Sequence, residues 1–155
     1  MIRIYTDGSC LGNPGNGGWA FLMQDGDKFT AMSSFQKETT NNQMELTAAI
    51  EALNYNIVRK DEIILITDSN YVKNGISEWI KNWKKNNWKT ATKSNVKNQN
   101  LWEKLDELNS KLNVKWEWVK AHNIDKYNNY VDELARNSAE NLVNLFRIAS
   151  KFSNF

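Results

Sequence analysis

Ile2, Ile4 and Thr6 alternate with Arg3, Tyr5 and Asp7 at the head of the chain, a period-two pattern that predicts a β-strand. The Gly/Asn/Pro-rich run that follows predicts a turn, so a strand delivers Asp7 to a bend. Residues 19–24 and 28–35 read as two more strands joined at Asp25-Gly26-Asp27, a short-range hairpin signal, and the chain opens as an antiparallel meander. Thr40-Asn-Asn-Gln43 has the form of a capping box, with Thr40 as N-cap and Gln43 reaching back. Leu46, Ala49, Ile50, Leu53 and Ile57 follow at helical spacing, with Glu45 in the early turns. The nearly continuous apolar run over 62–67 predicts a strand covered on both faces, and it ends at Asp68. Ser69 caps a helix that carries Val72, Ile76, Trp79, Ile80 and Trp83, which places Asp68 at a strand-to-helix junction, where sites in α/β sheets lie.

Residues 84–100 are polar and irregular. Leu101, Leu105, Leu108 and Leu112 then predict a helix, residues 114–119 a fifth strand, and residues 120–129 a loop. Val131, Leu134, Ala135, Ser138, Ala139 and Leu142 define a last helix with Asp132 in its first turn; Leu145, Phe146, Ala149 and Phe152 are a candidate extension of it. By letter, Gly15-x-Gly17-x-x-Ala20 matches a dinucleotide fingerprint, but that fingerprint must open a helix and here a strand follows.

Length adds a bound: 155 residues make one domain with a sizeable core, read as residues 1–145 with a tail at 146–155 of unassigned role. The single cysteine, Cys10, excludes an internal disulfide and a thiolate cage, and no apolar run is long enough for a signal sequence or a membrane span. A cytoplasmic protein with no membrane association is the expectation.

The net charge of +2 conceals an uneven distribution. Six lysines (Lys81, Lys84, Lys85, Lys89, Lys93 and Lys97) and no acid lie between Trp79 and Trp102, which leaves the rest of the chain acidic. One face suits a polyanion while another holds carboxylates, which repel phosphate unless a cation intervenes.

Singly, each acid has an ordinary explanation, since helix starts favour acids through the macrodipole and strand ends favour Asp through turns. Jointly, Asp7, Glu45, Asp68 and Asp132 meet at one edge if the meander and the buried strand share a sheet. Four carboxylates in a small site call for hard divalent cations bound by oxygen. A pair of Mg²⁺ or Mn²⁺ ions about 3.5 to 4 Å apart can stabilise both oxygens of an in-line phosphoryl displacement.

Five blocks carry a resemblance: Thr6-Asp-Gly-Ser-Cys-Leu-Gly-Asn-Pro-Gly15, Thr40-Asn-Asn-Gln-Met-Glu-Leu46, Thr67-Asp-Ser-Asn-Tyr-Val72, Trp116-Glu-Trp-Val-Lys-Ala-His122 and Val131-Asp-Glu-Leu-Ala135. In this order they resemble the successive motifs of type 1 ribonuclease H in its bacterial form. The resemblance implies an α/β ribonuclease H-like fold with a mixed five-stranded sheet flanked by helices. It further implies two Mg²⁺ ions, replaceable by Mn²⁺, and hydrolysis of the RNA strand of an RNA/DNA hybrid to 3′-hydroxyl and 5′-phosphate ends; a monomer is the expectation. The acidic quartet, as catalytic residues and metal ligands, falls on Asp7, Glu45, Asp68 and Asp132, and the mobile catalytic histidine on His122, the one histidine present.

Substrate-backbone contacts fall on Asn13, Thr40, Asn41, Asn42 and Asn70, short polar side chains suited to phosphate and sugar oxygens. The segment between Trp79 and Trp102 resembles the family's basic protrusion, where Lys84, Lys85, Trp88 and Lys89 form the expected substrate surface, while Trp79 and Trp83 share a helix face expected in the core. The histidine loop departs from the family pattern. Ala121 stands where Gly is usual, Asn123-Ile-Asp-Lys-Tyr127 follows in place of small residues, and Asn129 replaces an acid often found shortly before the last aspartate. These changes bear on loop mobility and turnover. The rivals are a catalytically idle hybrid-binding module, a resolvase or integrase core on the same fold, and a structural interaction protein. The intact quartet, the Lys/Trp protrusion in so short a chain and the unexplained acids argue against them in turn.

Overall fold

The computed structural model describes residues 1–120 and 125–155. Six strands form one mixed sheet: β1 (Ile2–Cys10), β2 (Gly15–Asp25), β3 (Lys28–Thr39), β4 (Glu62–Thr67), β5 (Asn113–Trp118) and β6 (Leu145–Ala149), in the order β5-β4-β1-β2-β3-β6. The meander β1-β2-β3 is antiparallel, β4 and β5 add in parallel on one side, and β6 adds antiparallel to β3 on the other. The hairpin stands where the sequence put it: Asp25 pairs with Lys28, and Gly26 takes the positive φ of +60° that the turn needs.

Helix α1 (Asn41–Tyr55) packs on one face of the sheet with α4 (Gln99–Lys111) and with a continuous helical run made of α2 (Asn70–Asn74), a π-helical turn (Gly75–Trp79) and α3 (Ile80–Lys85). Ile2, Ile4, Phe21, Leu46, Leu53, Leu65 and Trp102 form the centre of that core. Helix α5 (Lys126–Asn141) covers the opposite face, where Tyr5, Leu22, Phe29, Ile66, Val131 and Leu134 are buried. Both core faces draw on the central strands, as the apolar run of β4 required.

Several expectations are corrected. The chain does not bend at Asp7: β1 runs on to Cys10 because β2 pairs with it as far as Gly17, so both ends of the glycine-rich run belong to strands and the turn is confined to residues 11–14. Asp7 is still a strand end relative to β4, whose pairing with β1 stops at Tyr5 and Ile66. The capping box is half formed. Thr40 Oγ1 accepts from the Gln43 amide at 3.2 Å, but the Gln43 side chain turns to Thr39 and Asn98 instead of reaching back. Helix α1 stops before Ile57, which is exposed.

Helix α5 starts earlier than the apolar pattern indicated, because the Asp125 carboxylate caps the amides of Tyr127 (2.7 Å) and Asn128 (3.2 Å). Asp132 consequently lies in the second turn and not the first. The helix does not continue into the Phe-rich segment, since Leu142 adopts a left-handed conformation (φ 53°, ψ 52°) that ends it. Leu145–Ala149 instead becomes the sixth strand, where five were expected, and a 3₁₀ turn (Phe152–Asn154) follows.

Candidate active site

Strand β1 and helix α1 come into backbone contact at Gly8. A Cβ on Gly8 would lie 2.4 Å from both the Glu45 amide nitrogen and the Met44 carbonyl carbon, so only glycine lets the helix backbone descend onto the strand here. That descent sets the site. The Gly8 N–H donates to Asp7 Oδ1 at 2.9 Å and also to Glu45 Oε1, so one backbone amide gathers two carboxylates from two elements.

Asp68 joins them from the end of β4. Its backbone is fixed on both sides: Ser69 donates its amide to Thr67 Oγ1 (3.1 Å) and caps α2 through Val72, while the Trp118 indole N–H donates to the Asp68 carbonyl at 3.2 Å. Ligand-capable oxygens of Asp7, Glu45 and Asp68 all lie within 4.8 Å of one another. Asp132 stands outside that group. It is half exposed, takes the Arg136 guanidinium at 3.2 Å one helical turn on, and still acts on Asp7 through its charge.

Burial and crowding show in the proton affinities. Burial, then the neighbouring charges of Asp68 and Asp132, pushes the Asp7 carboxyl up from 3.8 to about 7, against the opposing pull of its bonds to Glu45 and Gly8. Glu45, only 5% exposed, is raised well above the ordinary carboxyl range by its burial first and by Asp7 second. Among the described residues no ion pair reaches Asp7 or Glu45. Two buried carboxyls with raised proton affinity and a third carboxylate beside them are a donor set suited to a hard divalent cation, which would release the protons of Asp7 and Glu45 on binding. Asp7, Glu45 and Asp68 could hold such an ion directly, and the charge of Asp132 reaches Asp7 from outside the group.

The expected substrate contacts fall into two places. Asn13 Oδ1 accepts from the Asn41 amide at 3.3 Å, which brings Asn13, Thr40, Asn41 and Asn42 together at the start of α1; Asn70 is exposed at the start of α2. The lysine segment is more structured than its sequence suggested. Lys84 pairs with Asp106 at 2.8 Å, Lys89 bonds to Asn95 Oδ1, and Lys85 remains exposed. Trp88 is half-buried with its ring 6.0 Å from that of Trp83, at the margin of the α1-side core that Trp79 and Trp83 also border. His122, and Ala121 before it, lie outside the described residues.

Gly8 and Trp118 play parts the sequence reading did not assign. The signal for Trp118 lies in pairing: β5 runs parallel to β4 with Trp118 opposite Thr67, so its side chain reaches the residue that follows. Lys73 extends over the same indole, its Nζ 4.8 Å from the ring centre.

Residues 1–140 match the family described as RNase H. The ribonuclease H of Ruthia magnifica subsp. Calyptogena magnifica is 54% identical over 136 residues, covering 86% of this chain and 92% of that protein. The ribonuclease H of Hydrogenovibrio crunogenus is 50% identical over 141 residues, covering 91% and 97%. Among solved structures, LC9-RNase H1, titled a type 1 RNase H with the type 2 active-site motif, superposes with a TM-score of 0.84 at 26% identity, over 96% of this chain and 77% of that one. The fold also matches LC11-RNase H1, solved in complex with RNA/DNA hybrid, with a TM-score of 0.68 at 20% identity, over 91% and 98% of the two chains.

Proposed function

This chain belongs to the ribonuclease H family, as an endonuclease that cleaves RNA in RNA/DNA hybrids, and from that premise we propose that Asp7, Glu45, Asp68 and Asp132 carry the reaction on two divalent cations. The observation that carries the reading is the cluster of three carboxylates within 4.8 Å, two of them with raised proton affinity. When bound there, Mg²⁺, or Mn²⁺ in its place, would neutralise the carboxylates, lower the pKa of the attacking water and stabilise the charge on the leaving oxygen, giving 3′-hydroxyl and 5′-phosphate ends.

The chain's own residues supply position. Gly8 and the start of α1 set Asp7 against Glu45, while Trp118 and the Ser69 cap fix the backbone that presents Asp68. Asn13, Thr40, Asn41, Asn42 and Asn70 bind phosphate and sugar oxygens of the hybrid, and Lys84, Lys85, Trp88 and Lys89 grip it farther away. His122, in the segment just before the Asp125 cap of α5, takes or returns a proton near the reacting phosphate and does not act as a ligand. The enzyme acts as a monomer in the cytoplasm, in keeping with one free cysteine; among the described residues no helix is long and apolar enough to cross a membrane.

Labelled RNA/DNA hybrid, double-stranded RNA and double-stranded DNA, each incubated with and without Mg²⁺, test the proposal. Mg²⁺-dependent cleavage of the hybrid's RNA strand alone, with 5′-phosphate products, is expected. Metal-independent cleavage or 3′-phosphate ends would contradict the two-ion mechanism.

A further inference from the structure

The segment after α5 has no task in the chemistry above. The family match ends at residue 140, yet residues 145–155 are built into the fold with care. Strand β6 ties the segment to β3 through five residue pairs, from Ser33 with Leu145 to Phe29 with Ala149. The chain then turns back over the α5 face of the sheet. Arg147 Nη1 donates to the Phe155 carbonyl at 3.3 Å and closes the return.

Two phenylalanines of this return meet the first turns of α5. The Phe152 ring stands edge-on to Tyr127 at 4.9 Å and to Tyr130 at 5.4 Å, and Phe155 stacks on Tyr130 at 5.5 Å. Tyr127 in turn packs on Tyr5 of β1 (5.2 Å) and Phe29 of β3 (5.8 Å), and Lys126 Nζ sits 5.1 Å and 5.6 Å from the Tyr127 and Phe152 ring centres. These are ordinary geometries for attractive aromatic and cation–π contacts. The start of the helix is thus clamped between the sheet and the returning segment.

Asp132 follows Tyr130 by two residues and Tyr127 by five, about 3 Å and 7.5 Å along the helix axis at 1.5 Å per residue. On its other side the helix is seated at Gly18, where a Cβ would fall 2.1 Å from the Ala135 carbonyl oxygen. Asp132 therefore stands beside buried Val131, between the backbone contact at Ala135 and the aromatic clamp. Without Phe152 and Phe155, the first turns keep the Asp125 cap, the inner packing of Tyr127 on Tyr5 and Phe29, and buried Val131, but lose the rings that cover Tyr127 and Tyr130 from outside.

We propose that Phe152 and Phe155 are positioning residues of the nuclease: through Tyr127 and Tyr130 they fix the first turns of α5, and with them the distance of Asp132 from Asp7, Glu45 and Asp68. The inference rests on the four-acid reading above. It gives a segment outside the family match a share in cation binding without contact to substrate or cation.

The test compares Phe152→Leu, the Phe152→Ala/Phe155→Ala double variant, Phe152→Tyr and the control Phe146→Ala with the parent. Phe146 belongs to the same segment, but its ring packs on Tyr55 of α1 at 6.2 Å, away from α5. Mg²⁺ binding to the free protein is measured by calorimetry, and kcat and KM for the hybrid at limiting and saturating Mg²⁺, at a temperature where circular dichroism shows each variant folded. The clamp predicts Mg²⁺ affinity weakened about 10-fold in the double variant, as for loss of a group that orients a ligand. Phe152→Leu should move the same way, Phe152→Tyr should restore parental binding, and Phe146→Ala should leave it unchanged. KM for the hybrid at saturating Mg²⁺ should not move in any of them. Should the double variant fail to fold, Phe152→Leu decides. Parental Mg²⁺ affinity in folded clamp variants, with only a lower thermal midpoint, overturns the inference and leaves the four-acid reading standing. A parent that neither binds Mg²⁺ nor cleaves hybrid overturns both.

Discussion

Asp7 and Glu45 retain protons because a strand and a helix meet too closely for water to solvate their charges. The sign of the consequence is definite. Between 3.8 and about 7 the folded protein holds an Asp7 proton that the unfolded chain has released, so stability is full below that window and is lost as pH rises through it; Glu45 acts in the same direction. In metal-free buffer the thermal midpoint of Asp7→Asn should therefore match the parent's near pH 4 and exceed it above pH 7, because the amide carries no charge to bury. Saturating Mg²⁺ should raise the parent and leave the variant unmoved. Equal midpoints at all pH values would show that Asp7 is not crowded. His122→Ala, by contrast, should lower kcat by about 10 to 10⁴ fold and leave Mg²⁺ binding intact, the range for a positioned acid–base group; full activity would remove the histidine from the mechanism. The cluster of Asp7, Glu45 and Asp68 was legible in the sequence because each acid falls in its own motif. The amide that gathers two of them was not, because the need for glycine at position 8 arises only when α1 is laid on β1.

At the scale of elements, the seat of α1 on β1 is the feature on which the site depends. Gly8→Ala should cost about 1 to 3 kcal/mol of stability, as for overpacking, and should lose activity even where the variant is folded, since relief of the clash moves Glu45 away from Asp7. Parental turnover in the folded variant would show that the seat is not required. Elements with strong local signals are legible in the sequence: the Asp25-Gly26-Asp27 hairpin, the Thr40 and Ser69 caps, and the buried strand at 62–67. The departures share one cause, which is non-local pairing. Strand β1 outlasts its apolar alternation because β2 continues beside it, and Leu145, Phe146 and Ala149 suit a helix by spacing yet form a strand because β3 offers a free edge. The start of α5 escapes the aliphatic pattern for a local reason, since Asp125 caps first turns whose packed side chains are Tyr127 and Tyr130.

Across the whole molecule, the charge asymmetry seen along the chain becomes spatial: acids gather at the junction of β1, β4 and α1, and lysines on α3 and the residues after it. Lys84→Ala, Lys85→Ala and Lys89→Ala combined should flatten the salt dependence of hybrid binding, by roughly 0.7 to 0.9 in the slope of log K against log salt for each phosphate that is no longer neutralised. A fall worth two phosphates means that Lys84 stays with Asp106, one worth three means that it leaves for the substrate, and an unchanged slope means that the segment does not grip the hybrid. Such a grip brings a polyanion to a cluster of carboxylates, an approach that cations alone make favourable. Single-turnover cleavage of labelled hybrid by Asp7→Asn beside the parent, over a full range of Mg²⁺ concentration, tests that claim most directly. The account predicts a rate below about a tenth of the parent's at every concentration, with the fold intact, as expected when a cation-binding charge is removed. Cleavage above that level, restored by added Mg²⁺ or independent of it, would contradict it.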